Sequence, residues 1–169
     1  MHHHKVYYTD QQIKQWVHHI IREMSFEKWQ PDYIVGLSRG GLVPAVMISH
    51  YTGIPIQTLN VSLRDGGSCT SDLGMAEDAF GHDQPRKKIL VVDDINDTGA
   101  TLNWIKNDWP SGCFPNNEAW NTVWNNNVRF AVMIHNDASE FKNVDYVGKI
   151  INKMEKDEWC VFPWEEWWI

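Results

Sequence analysis

The sequence predicts an α/β fold, a single domain built on a parallel sheet with helices on both faces. Three observations carry that prediction. Ile89, Leu90, Val91 and Val92 form a continuous apolar run ending in Asp93 and Asp94, the pattern of a parallel strand covered on both faces. Helical and strand-like stretches alternate along the chain. A length of 169 residues at 43% apolar composition provides for one real core.

The elements follow in order. Thr9 and Gln12 have capping-box spacing ahead of Ile13, Trp16, Val17, Ile20, Ile21 and Met24, whose recurrence makes an amphipathic helix. Tyr33 to Leu37 reads as the first core strand, followed by Ser38-Arg39-Gly40-Gly41. Leu42 to Tyr51 reads as a helix, with Pro44 in its first turn and Gly53 as terminator. Ile54 to Leu63 is the second strand, Lys87 to Asp93 the third and Arg129 to Ile134 the fourth; Tyr146 to Ile151 is a fifth, weakened by Gly148. Residues 64–86 are rich in Gly, Ser, Asp and Thr and read as a long loop, either a mobile lid or a plain surface loop. Residues 109–127 read as an insertion to which no chemistry can be assigned.

Bulk properties exclude some classes. A net charge of −7 argues against a broad surface for nucleic acid or anionic membrane. Cys69, Cys113 and Cys160 lack metal-ligand spacing and cannot all pair, which suits a reducing cytoplasm. No apolar stretch reaches membrane-spanning length, and no signal-peptide core is expected at the start. His2, His3 and His4 are either native or a tag remnant and carry no functional signal. Neither G-x-G-x-x-G nor a Walker lysine motif occurs, which disfavours a Rossmann or P-loop nucleotide protein.

The chemistry concentrates in residues 89–102. After the acids comes a short loop, Asn96-Asp97-Thr98-Gly99-Ala100-Thr101, that opens into a helix-like segment. Backbone N–H groups and hydroxyls at a helix start cradle phosphate. Neighbouring acids hold a divalent cation or sugar hydroxyls. A ligand with phosphate, ribose and Mg²⁺ fits this combination, whereas a plain strand-loop-helix junction would use the acids only as caps. In Ser38-Arg39-Gly40-Gly41, the glycines admit close approach of an anion and Arg39 adds a bidentate cation.

The 89–102 segment resembles the phosphoribosyl-pyrophosphate (PRPP) motif of type I phosphoribosyltransferases: apolar strand, two acids, apolar residue, spacer, Asp-Thr-Gly, small residue, Thr. Ile34 to Ala45 resembles the pyrophosphate loop of the bacterial xanthine-guanine and hypoxanthine members, and Lys156 to Glu165 their C-terminal base site. The resemblance implies a phosphoribosyltransferase domain over residues 5–169, with residues 64–86 as its mobile catalytic loop and a small hood formed largely by the C-terminal segment. It implies transfer of 5-phosphoribosyl from PRPP to guanine, xanthine or hypoxanthine, with Mg²⁺ as cofactor, in a cytoplasmic homo-oligomer, dimer or tetramer. The alternatives are a phosphoribosyltransferase for another base and a non-catalytic PRPP-sensing regulator.

Residue roles carry over on the same terms. Asp97 is the general base, and Asp97, Thr98, Gly99, Ala100 and Thr101 hold the 5′-phosphate. Asp93 and Asp94 hold ribose hydroxyls, Asp94 with Asp93 binding Mg²⁺. Ser38, Arg39, Gly40 and Gly41 bind pyrophosphate, with Arg39 stabilising it as it leaves. Ile95 and Trp159 sandwich the base, while the Cys160 backbone reads its edge; Trp164, Trp167 and Trp168 serve packing. One departure concerns the lysine that the family places after the fourth strand to bond a 6-oxo group. Asn136 stands there, a neutral amide that both donates and accepts, with Lys142 as a nearby substitute.

Overall fold

A computed structural model describes residues 4–63 and 67–169. The chain begins with a short strand β1 (His4–Tyr7), then runs through α1 (Asp10–Phe26), β2 (Tyr33–Ser38), α2 (Leu42–Thr52) and β3 (Ile56–Asn60). It continues through α3 (Leu73–Phe80), β4 (Ile89–Asn96), α4 (Ala100–Gly112) and a 3-10 turn (Glu118–Thr122) to β5 (Val128–Asn136), β6 (Tyr146–Ile151) and β7 (Glu158–Val161). Five strands form the main sheet in the order β3-β2-β4-β5-β6, and every pairing in it is parallel.

Strand alternation sorts the core into two layers. Leu90 and Val92 of β4 face α1 and α2, meeting Ile13, Val17, Ile20, Ala45 and Ile48. Ile89 and Val91 face the other way, onto Met75, Ala79, Leu102, Ile105 and Trp109 of α3 and α4. Covering both faces explains the unbroken apolar run at the start of β4. It also leaves the carboxyl ends of the strands as the place where loops can meet a ligand.

The structure moves several boundaries. β4 runs through the acids to Asn96, because the long β5 offers ladder partners as far as Asn96↔His135. β3 is shorter than the stretch 54–63, being an edge strand with a single neighbour, β2. The expected loop 64–86 contains α3: Asp72 caps it through the Met75 N–H at 3.0 Å, and Gly81 ends it in the left-handed region at φ 87°. Met75, Ala76 and Ala79 are buried, a helical spacing too short to stand out in a polar stretch. Arg64, Asp65 and Gly66 of that loop lie outside the described residues.

The 109–127 segment is core rather than appendage. α4 extends into it, and Trp109, Cys113, Trp120 and Val123 are buried. The Trp120 indole donates to the Cys113 carbonyl at 2.9 Å, and Trp124 stacks between Trp120 and Phe130. Arg86 clamps the segment through the carbonyls of Ala119 and Thr122.

The hood is a two-stranded parallel sheet of β1 and β7, in which Lys5 pairs with Trp159 and Val6 with Cys160. The N-terminal strand is thus half of the hood, and only tertiary pairing gives it strand form. Trp164 packs on Phe162, 5.1 Å between centroids. Trp167 and Trp168 do not pack as expected: they are 75% and 66% exposed, touching mainly each other edge-on. No helix of the described residues is long and apolar enough to cross a membrane.

Thr9 joins the hood to the domain. Its hydroxyl accepts from the Gln12 N–H at 3.1 Å, while Gln12 Oε1 accepts from the Thr9 N–H at 2.9 Å. Thr9→Ala should therefore lower unfolding free energy by about 1 kcal/mol. Urea denaturation checks this, with a lower midpoint at unchanged slope.

Candidate active site

The carboxyl ends of β2, β4 and β5 converge on one edge of the sheet, and the residues singled out from the sequence gather there. β2 delivers Ser38 to Gly41. The Gly41 N–H donates to the Leu37 carbonyl at 2.9 Å, and the Gly41 carbonyl accepts from Ala45, so the turn leads straight into α2. Both glycines are demanded by space. A Cβ on Gly40 would collide with the Asp94 carboxylate, and one on Gly41 with the Val92 carbonyl. The Ser38–Arg39 peptide is cis, and Arg39 is exposed.

This close approach sets the pyrophosphate-type loop directly against an acid. Asp93 and Asp94 are half-buried at the end of β4. The Asp94 N–H donates to Asp93 Oδ1 at 2.8 Å, and the Ile95 N–H to Asp94 Oδ1 at 2.7 Å. Two adjacent carboxylates are hard oxygen donors of the kind Mg²⁺ takes, with water and substrate oxygens completing its shell. Among the described residues no group of three or more His, Cys, Asp or Glu could form an all-protein cage. The donor set therefore fits a cation shared with a bound substrate.

β4 then turns into α4 through Asp97, Thr98 and Gly99. Gly99 caps α4 at φ 93°, and a Cβ there would also lie 2.5 Å from the Phe141 nitrogen; both facts require glycine. Thr98 and Ala100 are exposed, Gly99 is buried, and the Ala100 N–H donates to Thr98 Oγ1 at 3.2 Å. A cavity of about 240 Å³ opens over this turn, lined by Leu63, Ile95 and the run from Asn96 to Leu102. The first amides of α4 border that cavity, where a helix start favours an anion.

Behind the loop is a polar network that sequence reading missed. Asn96 is 2% exposed. Its Nδ2 donates to the Phe141 carbonyl at 2.8 Å and lies 3.0 Å from His135 Nδ1, and its Oδ1 accepts from Ser139 Oγ at 3.1 Å. Burial holds His135 below the ordinary imidazole range. The Glu140 N–H donates to the Thr98 carbonyl at 2.9 Å, so residues 139–141 brace the loop from beneath.

At the base end, Asn136 is held by the protein itself. The sequence places Asn136 against the base; in the structure its amide is engaged by the protein. Nδ2 donates to the Asp97 carbonyl at 2.9 Å and to Asp97 Oδ1 at 3.3 Å, while Oδ1 accepts from the N–H groups of Ala138 and Lys153 at 3.2 and 3.0 Å. A buried amide needs such partners, and a ligand would have to displace them. Lys142 turns to the Asp137 carbonyl at 2.6 Å. A residue the sequence did not single out enters instead. Lys153 Nζ lies 3.0 Å from Asp97 Oδ2 and 5.8 Å from the centre of the Trp159 ring. Nothing in the stretch Asn152-Lys153-Met154-Glu155-Lys156 separates it from its neighbours.

Trp159 itself is 38% exposed on β7. Cys160 beside it is buried, and burial pushes its thiol up from the ordinary value, a mark of an inert thiol. Ile95 is half-buried and lines the cavity. The arrangement can hold an anion at Thr98–Thr101 and polar groups at the acids, with an aromatic face across Asp97.

Comparisons with known proteins agree with this fold. A xanthine-guanine phosphoribosyltransferase of Idiomarina loihiensis is 28% identical over 133 residues, 78% of this chain and 70% of that one. The crystal structure of a purine phosphoribosyltransferase from Pyrococcus horikoshii superposes with a TM-score of 0.65 at 26% identity, covering 96% of this chain and 95% of that one. The Helicobacter pylori xanthine-guanine-hypoxanthine phosphoribosyltransferase shares the fold at 16% identity, with a TM-score of 0.63 over 96% of this chain and 93% of that one. The phosphoribosyl transferase domain family matches residues 3–167, nearly the whole length, and the chain belongs to that family.

Proposed function

We propose that the protein transfers the 5-phosphoribosyl group of PRPP to a 6-oxopurine (guanine, xanthine or hypoxanthine), giving a nucleoside 5′-monophosphate and pyrophosphate in purine salvage. The observation that carries this reading is Asp97. It belongs to the loop lining the cavity, and through Lys153 it stands one side chain from the Trp159 face. Phosphoribosyl and base sites must meet at such a point for a bond to form between them.

The steps follow from the residues. The amides and hydroxyls of Thr98 to Thr101 grip the 5′-phosphate. Asp93 and Asp94 hold the ribose hydroxyls and favour the positive charge that develops on the sugar. They would also hold Mg²⁺, which when bound supplies charge neutralisation for the pyrophosphate oxygens. Ser38 to Gly41 receive the leaving pyrophosphate, with Arg39 as a charge-assisted donor. Trp159 and Ile95 take the two faces of the purine. As the purine nitrogen bonds to C1 and the C1–oxygen bond to pyrophosphate breaks, the proton shed by the base passes to Asp97. The Cys160 backbone lies beside the base edge.

Incubation with PRPP, Mg²⁺ and guanine, hypoxanthine, xanthine, adenine, uracil or orotate should release pyrophosphate with the first three bases. Release with none of them, or only with a pyrimidine, overturns the reading. Asp97→Asn should lower turnover by about two to four orders of magnitude, the scale of a lost general base, with a smaller change in PRPP affinity. Near-normal turnover would leave Asp97 as a loop-former only. Trp159→Ala should weaken purine binding roughly five- to hundred-fold, from stacking worth about 1–3 kcal/mol, and PRPP binding much less. Equilibrium titration of each ligand tells the two apart.

A further inference from the structure

The carbonyl edge of a 6-oxopurine calls for a donor, and the structure leaves the sequence's first candidate already occupied. Asn136 is 5% exposed, both ends of its amide are bonded within the protein, and Asp97 takes its N–H groups. Turning that amide to a ligand would strip the Asp97 carbonyl of its partner and leave the Lys153 N–H without its acceptor. Losing a buried hydrogen bond on one side only is costly.

We propose that Lys153, carried on the connection from β6 to the hood, is the residue that reads the 6-oxo group of the base. The inference rests on the purine reading of Trp159 and deepens it. Three features of the structure support it. The Lys153 backbone is fixed by Asn136 Oδ1 at 3.0 Å, so the residue at the expected lysine position anchors the lysine that replaces it. Its side chain is only 18% exposed, with Nζ between the Asp97 carboxylate at 3.0 Å and the Trp159 ring. At 5.8 Å from the ring centre, the ammonium lies near the outer limit of cation–π contact, about 6 Å. A ring stacked on Trp159 would lie closer, at about 3.5–4.0 Å.

The chemistry of the head group decides the selectivity. An ammonium has three donors and no acceptor. Asp97 takes one donor, and an exocyclic carbonyl oxygen of a stacked base suits another. A 6-amino group presents hydrogens instead, so adenine meets a like dipole where hypoxanthine meets a partner. The same ion pair ties base reading to Asp97: the group that recognises the base edge also orients the carboxylate proposed to take its proton. Lys153 acts on the substrate by contact and on Asp97 by positioning.

Inosine and adenosine 5′-monophosphates differ at this edge and test the idea without turnover. In calorimetric titrations the wild-type protein should bind inosine monophosphate more tightly. Lys153→Met should weaken that binding on the order of ten- to hundred-fold, the scale of a hydrogen bond to a charged group, and leave adenosine monophosphate nearly unchanged. Lys153→Gln shortens the stem and loses the charge, keeping an amide donor but adding an acceptor, so it too should collapse the ratio; it serves if the Met variant does not fold. Equal weakening of both nucleotides would reduce Lys153 to a support for Asp97 and overturn the proposal. An unchanged ratio in either variant would overturn it as well, with the purine reading intact. If the wild type binds PRPP but neither nucleotide, the purine reading itself falls, and this inference with it.

Discussion

The site depends on one buried carboxamide. Asn96 ends β4, is 2% exposed, and its side chain finds its partners at the end of β5 and in the turn after it: His135, Ser139 and the Phe141 carbonyl. A polar group at that depth is costly unless bonded, so its partners lock β4, the end of β5 and the following turn into one body. His135 takes part as an acceptor of the Asn96 amide proton, and burial keeps its ring in the neutral form that can accept. The turn that results carries Phe141 to within 2.5 Å of where a side chain on Gly99 would begin. The Thr98–Thr101 loop is therefore shaped from behind, by buried polar groups.

The two ends of the proposed substrate are served by different physics. At the phosphoribosyl end the contacts come from backbone and short side chains on elements of the central sheet, where glycines admit close approach and buried bonds fix geometry. At the proposed base end they would come from long side chains, Lys153 on the connection into the hood and Trp159 on β7 within it. Rigid positioning suits a group common to every PRPP-dependent reaction. A peripheral segment suits the part where selectivity is set. The hood itself closes only because β1 returns to pair with β7, which couples the base end to the opposite end of the chain and, through Thr9, to α1.

The abundance of tryptophan has mostly a packing explanation. Of the ten, Trp109, Trp120 and Trp124 join Phe130 and Phe141 in a chain of aromatic contacts under α4. Trp29 packs beneath the Arg129 guanidinium at 4.5 Å, and Trp16 meets Tyr8 edge-on. The segment 109–127 thus supplies apolar area to a core that the short α3 covers only in part. Large rings bury much area for few ordered torsions, and that is the gain the inserted residues bring.

The sequence by itself determined the main strands with the helices α1 and α2, the parallel sheet and the glycine-led turn into α4, because each is written in local terms. The Thr9–Gln12 capping box, the Gly53 stop, the apolar run into Asp93 and the glycine at 99 all stand where the pattern puts them. These features depend on neighbours within a turn or on period, which one sequence displays. Tertiary structure alone decided the hood strand at the N-terminus, the seating of the helix within 64–86 and the pairing of Lys153 with Asp97. In each case the cause lies far along the chain. β1 is a strand only because β7 is beside it, α3 is seated in the core because Tyr33 bonds its Asp78 at 2.8 Å and the core accepts its alanines, and Lys153 reaches Asp97 across 56 residues. A lysine in a polar stretch has no local mark of function; its partner, brought by the fold, provides one.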